Sequence, residues 1–153
     1  MNTLFSFLNQ KPGMPQHIQH ICMADDDPDD HYLFATALSE VNDTVKPTGF
    51  SSCDALLELL KSGSDLPDVI VLDMNMPGND GNKCLLAVKN EARLRHIPVI
   101  IYSTSGTAEM MRKSRECGAF DYLLKPSSMH LIRELIKQIL AIPVSEIKKD
   151  AVI

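Results

Sequence analysis

Short apolar runs alternate along the chain with segments whose apolar residues recur at helical spacing. Ile18 to Ala24, Val69 to Leu72, Val99 to Ser103 and Phe120 to Leu124 are rich in β-favouring residues, as strands covered on both faces are. A fifth run, Val45 to Phe50, is interrupted by Pro47 and belongs at a sheet edge, where a missing N–H donor is tolerated. Between these runs, Leu33, Phe34, Ala37, Leu38 and Val41 share one face of a helix that Pro28 can open, with Asp27 as its cap and Asp29 and Asp30 at the positive end of its dipole. Further helices are predicted from Cys53 to about Lys61, capped by Ser52 and closed by Gly63, from Asn82 to Asn90, and from Thr107 to Glu116, ended by Gly118. A last helix starts at Ser127 or Ser128, carries a stripe of Leu131, Ile132, Leu135, Ile136, Ile139 and Leu140, and stops at Pro143. Strands and helices in strict alternation predict an α/β fold: a parallel sheet covered on both faces, joined by right-handed crossovers.

The stretch Asp68 to Gly81, DVIVLDMNMPGNDG, shows what the strand ends carry. Its apolar run stops at Asp73, and Pro77, Gly78 and Gly81 delay the next helix. Asp73 taken alone either caps the loop or the helix, or is presented for chemistry. The other strands end alike, in Asp25-Asp26, Ser103 and Lys125. In open α/β sheets ligands collect at the carboxyl ends of the strands, so these groups share one rim if their strands are neighbours. Three carboxylates brought together raise one another's pKa unless a cation resolves the repulsion. Mg²⁺ takes carboxylate, water and phosphate oxygens; a lysine and a serine hydroxyl then meet the remaining phosphate oxygens. The set suits phosphoryl transfer, with one carboxylate as nucleophile.

Composition narrows the function classes. The 153 residues have the length of one domain, with ordinary hydrophobic (44%) and charged (23%) content. A net charge of -5 argues against nucleic-acid binding through a basic face. Cys22, Cys53, Cys84 and Cys117 lie far apart without a CxxC pair, so they read as small buried hydrophobes in a reducing cytosol rather than metal ligands. The amino terminus lacks the pattern of a signal peptide or membrane span, which predicts a cytoplasmic protein without membrane insertion. Residues 1–16 read as an extension broken by Pro12, Gly13 and Pro15, residues 17–141 as the domain, and 142–153 as a tail whose Ile142, Val144, Ile147, Val152 and Ile153 are available to pack against the domain, the amino-terminal extension or a second subunit.

Four segments together resemble the receiver domains of two-component response regulators: Ala24-Asp25-Asp26-Asp27-Pro28, Leu72-Asp73 with Met76-Pro77 and Asp80-Gly81, Ile97-Pro98-Val99-Ile100 leading to Ser103, and Asp121-Tyr122-Leu123-Leu124-Lys125-Pro126. Their order, with 30 positions from Asp73 to Ser103 and 22 from Ser103 to Lys125, is similar to the family's spacing. The resemblance covers about residues 17 to 141 and implies a flavodoxin-like, doubly wound five-stranded parallel sheet of order 2-1-3-4-5 with five helices. It also implies that Asp73 accepts a phosphoryl group, that Asp26 binds Mg²⁺ directly and Asp25 directly or through water, and that the Asn75 carbonyl completes the protein ligands. Ser103 and Lys125 then meet the phosphate, and Tyr122 stands at the switch-aromatic position. The implied donor is a histidine kinase or histidine phosphotransfer protein, and the output is contact with a further protein, a homodimer included. With about 13 residues left after the last helix, the chain reads as a stand-alone receiver.

Three other readings use the same pattern. An unphosphorylated scaffold keeps the fold and loses the chemistry. A phosphohydrolase of the haloacid dehalogenase type needs a second Asp two positions after the nucleophile, where Asn75 stands. A flavodoxin-like FMN carrier needs a neutral phosphate loop after the first strand, where Asp25 to Asp30 are strongly acidic.

Overall fold

The computed structural model describes residues 17–63 and 65–144; the amino-terminal extension and the tail beyond Val144 lie outside the described residues. Five strands form one parallel sheet: β1 (His20–Ala24), β2 (Lys46–Phe50), β3 (Val69–Leu72), β4 (Val99–Ser103) and β5 (Asp121–Leu124), in the order β2-β1-β3-β4-β5. Five helices join or follow them: α1 (Pro28–Val41), α2 (Cys53–Ser62), α3 (Gly81–Asn90), α4 (Ala108–Glu116) and α5 (Met129–Leu140). This is the flavodoxin-like fold that the resemblance implied. The register pairs Ala24 with Phe50 and with Leu72, and Ser103 with Leu124. The strands thus finish along one rim, where a backbone N–H of Asp25 reaches Phe50 O at 3.0 Å, that of Asp73 reaches Ala24 O at 2.9 Å and that of Lys125 reaches Ser103 O at 2.7 Å.

The strand period of two separates the core into two layers. Ile21, Met23, Val69, Val71, Ile100 and Tyr102 face α1 and α5, where they meet Phe34, Leu38, Ile132 and Ile136. The alternate residues Cys22, Ala24, Ile70, Leu72, Val99 and Ile101 face the other way, with Leu56, Leu60, Leu85 and Val88 of α2 and α3. The three middle strands β1, β3 and β4 are buried along their whole length, which explains their unbroken apolar runs. Strand β2 is largely exposed and lies at an edge, as Pro47 required. Ile142 and Val144 are buried in the α1/α5 layer.

Local signals set the helix starts. Asp27, Ser52, Asp80, Thr107 and Ser128 each turn a side-chain oxygen to a backbone N–H of the first helical turn, satisfying one orphan donor apiece. The loop after Asp73 holds a two-residue antiparallel ladder, Asn75–Met76 against Asn79–Asp80, which the sequence pattern did not reveal. At Gly81, which opens α3, an added Cβ would stand 2.8 Å from Met74 Cα and 3.0 Å from Asp73 O. The helix can therefore approach the Asp73 backbone only without a side chain.

One expectation is corrected here. Cys22 is a buried free thiol, but Cys53 and Cys84 form a disulfide with their Cα atoms 5.9 Å apart. Both α2 and α3 cover the same sheet face, so their first turns bring together residues 31 positions apart. Linear spacing does not carry that proximity. Among the described residues, no helix is long and apolar enough to cross a membrane.

Candidate functional site

The rim above β1 and β3 gathers Asp25, Asp26 and Asp73, with one carboxylate oxygen of each within 4.8 Å of the others. Asp25 and Asp73 are buried and Asp26 is exposed. Asp25 and Asp73 each follow directly on a strand and are placed by a ladder hydrogen bond at its end, and Asp26 comes one residue further along. Asp25 Oδ1 accepts from the Asp27 N–H at 2.9 Å, and Asp73 Oδ1 accepts from the Asn75 N–H at 3.4 Å. Asp26, Met74, Asn75, Pro77 and Asp80 line an open cleft of about 450 Å³ beside these carboxylates.

Lys125 reaches this cluster from the end of β5. Its Nζ donates to Asp25 Oδ2 at 2.9 Å and to Asp30 Oδ2 at 2.7 Å, and lies 3.6 Å from Asp73 Oδ1. It also stands over the Tyr102 ring, 5.6 Å from the centroid, a cation–π contact. Burial by itself would lower the Lys125 pKa, but the hydrogen bonds to Asp30 and Asp25 outweigh it and hold the ammonium above its ordinary value. Burial pushes Asp73 up to about 6, with the Asp25 charge adding to the rise and Lys125 opposing it. Asp25 is raised as well, again mainly by burial, against its hydrogen bond from Lys125.

Three of the four strand-end groups singled out in the sequence thus meet directly. Ser103 is fully buried at the end of the neighbouring β4, and its Oγ accepts from the Ser105 N–H at 3.4 Å. Tyr122 is turned inward: it is 6% exposed, and its hydroxyl donates to Ser105 O at 2.6 Å. Asn75 is exposed beside the cleft, with its backbone N–H tied to Asp73. The sequence reading missed Asp30. Its place in the first turn of α1 suggested a dipole role, and only the fold shows it beside a lysine 95 positions away.

An all-oxygen set of three carboxylates suits a hard divalent cation, and the spacing of Asp25, Asp26 and Asp73 fits one ion shared among them.

The fold and this rim define a class: α/β phosphoacceptor modules with an acidic cluster at the carboxyl ends of their strands. The response regulator receiver domain family matches residues 21–137, and the chain belongs to that family of two-component signalling proteins. Among its relatives, the two-component response regulator ORR8 of rice (Oryza sativa) is 35% identical over 120 residues, covering 78% of this chain and 97% of the relative. The crystal structure of the phosphorylated cyanobacterial phytochrome response regulator RcpA shares the fold with a TM-score of 0.73 at 24% identity, covering 80% of this chain and 91% of that one. The Mn²⁺-bound form of response regulator Rcp1 does so with a TM-score of 0.68 at 23% identity over 80% of this chain and 95% of that one. Receiver domains are signalling phosphoacceptors that work with histidine kinases or phosphotransfer proteins and with downstream targets.

Proposed function

We propose that Asp73 accepts the phosphoryl group, with Asp25, Asp26, Asp73 and the Asn75 carbonyl holding Mg²⁺, and with Ser103 and Lys125 serving the phosphoryl oxygens. The observation that carries this reading is the shared ammonium: Lys125 lies within 4 Å of both Asp25 and Asp73, so a cation already stands where phosphoryl charge would develop. A bound Mg²⁺ would offset carboxylate repulsion and neutralise phosphoryl charge. The protein's own part is to aim the nucleophile. An Asp73 carboxylate oxygen attacks the phosphorus of a phosphohistidine in line, the P–N bond breaks, and the imidazole of the donor keeps the electron pair and takes up a proton. Lys125 and the Ser103 hydroxyl then donate to the phosphoryl oxygens. Rcp1, which shares the fold, has been seen in a Mn²⁺-bound form, and this supports a divalent cation for this chain.

The donor in this reading is a histidine kinase or a histidine phosphotransfer protein in the cytoplasm, and the chemistry resides in residues 17–141. Output runs through the surface of α4, β5 and α5, where the apolar side chains of Phe120, Leu124 and Leu131 stay about half exposed and are open to a protein partner or a second copy. Tyr122 links the two regions, since its hydroxyl holds the loop after Ser103 and its ring lies under that surface.

Exposure of the full chain to a small acyl phosphate with Mg²⁺ should place one alkali-labile phosphoryl group on Asp73, read by intact-mass spectrometry. Asp73→Asn should take up none, because the attacking carboxylate is gone. Persistent labelling of that variant would defeat the assignment.

A further inference from the structure

We propose that Asp30 is a positioning residue for phosphoryl transfer, seating the Lys125 ammonium so that one of its donors is kept for the group arriving at Asp73. The inference rests on the phosphoacceptor reading of Asp73. An ammonium has three N–H donors. Asp30 Oδ2 at 2.7 Å and Asp25 Oδ2 at 2.9 Å engage two of them, whereas Asp73 Oδ1 at 3.6 Å lies beyond hydrogen-bond length. The third donor is therefore left on the Asp73 side, where a phosphoryl oxygen can take it.

The two anchors differ in kind. Asp25 belongs to the carboxylate group that can hold a cation, and Asp30 does not. Once a cation draws on Asp25, Asp30 is the anchor that still holds Lys125. Its own placement is firm: Asp30 sits in the first turn of α1 behind the Asp27 cap, and α1 is fixed to the sheet by Phe34, whose ring meets Tyr102 edge-on at 6.0 Å. Tyr102 in turn lies beneath the lysine. A carboxylate serving only the helix dipole needs no such partner, yet this one reaches inward to a lysine whose side chain is 10% exposed.

The test is the rate of phosphorylation of the full chain by acetyl phosphate, followed against donor concentration and, separately, against Mg²⁺ concentration up to saturation. Asp30→Asn should lower the maximal rate about 10-fold, the scale of a modest misplacement of a catalytic group, with the half-saturating donor and Mg²⁺ concentrations changed less than about twofold. Asp30→Glu should recover most of the loss. In a Lys125→Ala background, Asp30→Asn should produce no further slowing, because its partner is gone. A wild-type rate for Asp30→Asn overturns the proposal, as does an equal slowing in the Lys125→Ala background or a loss cured by adding Mg²⁺. A wild-type protein that takes no label on Asp73 removes the phosphoacceptor reading and this inference together; a labelled wild type with an unaffected Asp30→Asn removes this inference alone.

Discussion

Burial shifts Asp73 toward its neutral form, and Lys125 offsets only part of that shift. The ordinary Asp73 pKa of 3.8 rises to about 6 in the fold, chiefly through burial and then through Asp25. Since the folded protein binds this proton more tightly than the unfolded chain, the stabilising contribution is complete below about pH 4 and is lost as the pH rises through 6. Two pKa units correspond to about 3 kcal/mol. In metal-free buffer at pH 7, Asp73→Asn should therefore be more stable than the wild type by an amount of that order, with the difference closing near pH 4. Urea denaturation across that range checks it, and parallel pH profiles for the two proteins would remove the argument. Tyr122 carries a second prediction at this scale. An added Cβ at Gly106 would stand 2.8 Å from Tyr122 Cε1 and 3.0 Å from both Leu124 Cδ2 and Met111 Cε. Gly106→Ala should displace the ring, break its hydroxyl contact with Ser105 O, and cost about 1–3 kcal/mol as overpacking does. Ring proton shifts of Tyr122 together with thermal unfolding would show both effects.

At the scale of elements, the disulfide between the first turns of α2 and α3 makes two helices of one sheet face a covalent unit. Cross-linking across 31 positions restricts the unfolded chain by about 3–4 kcal/mol on the entropy model. Cys84→Ser should lose stability of that order relative to the oxidised protein and match the wild type in a strong reductant, as measured by denaturation with and without dithiothreitol. Elements of this kind divide what was legible in the sequence from what was not. Strands β1, β3 and β4 announced themselves because burial on both faces leaves a continuous apolar run, and the caps Asp27, Ser52 and Ser128 because capping is a local act. The rim was legible too, since each strand ends in a polar group as soon as it leaves the core. The two-residue ladder after Asp73 was hidden in a stretch whose Pro and Gly signal only a turn. The Cys53–Cys84 bond and the Asp30–Lys125 pair were hidden for a different reason: each depends on how crossovers set elements side by side, and no local pattern of residues encodes that.

For the molecule as a whole, a cation held at the acidic rim would couple its binding to folding. Asp25 and Asp73 come from two strands that neighbour each other only in the sheet, and Asp26 joins them at the same edge, so the unfolded chain has no comparable site. Any ion held by the three carboxylates must therefore stabilise the native state by mass action. Free Mg²⁺ at about a hundred times its dissociation constant contributes about 2.7 kcal/mol, which for a domain of this size raises the unfolding midpoint by about 5–10 °C. The rise should be steepest near neutral pH, where Asp73 is ionised and Lys125 relieves only part of its repulsion with Asp25, and should shrink toward pH 4 as protons compete for the same oxygens. Removing the exposed ligand by Asp26→Ala should abolish most of the effect while leaving the Asp25–Lys125–Asp30 contacts and the core untouched, because Asp26 takes part in neither. Thermal scans against Mg²⁺, with equal ionic strength of a monovalent salt as the control, distinguish a shared ion from general screening. A midpoint that moves equally in both salts, or equally in Asp26→Ala, would mean that the rim does not hold the cation and that the charge on Asp73 must be relieved by Lys125 alone.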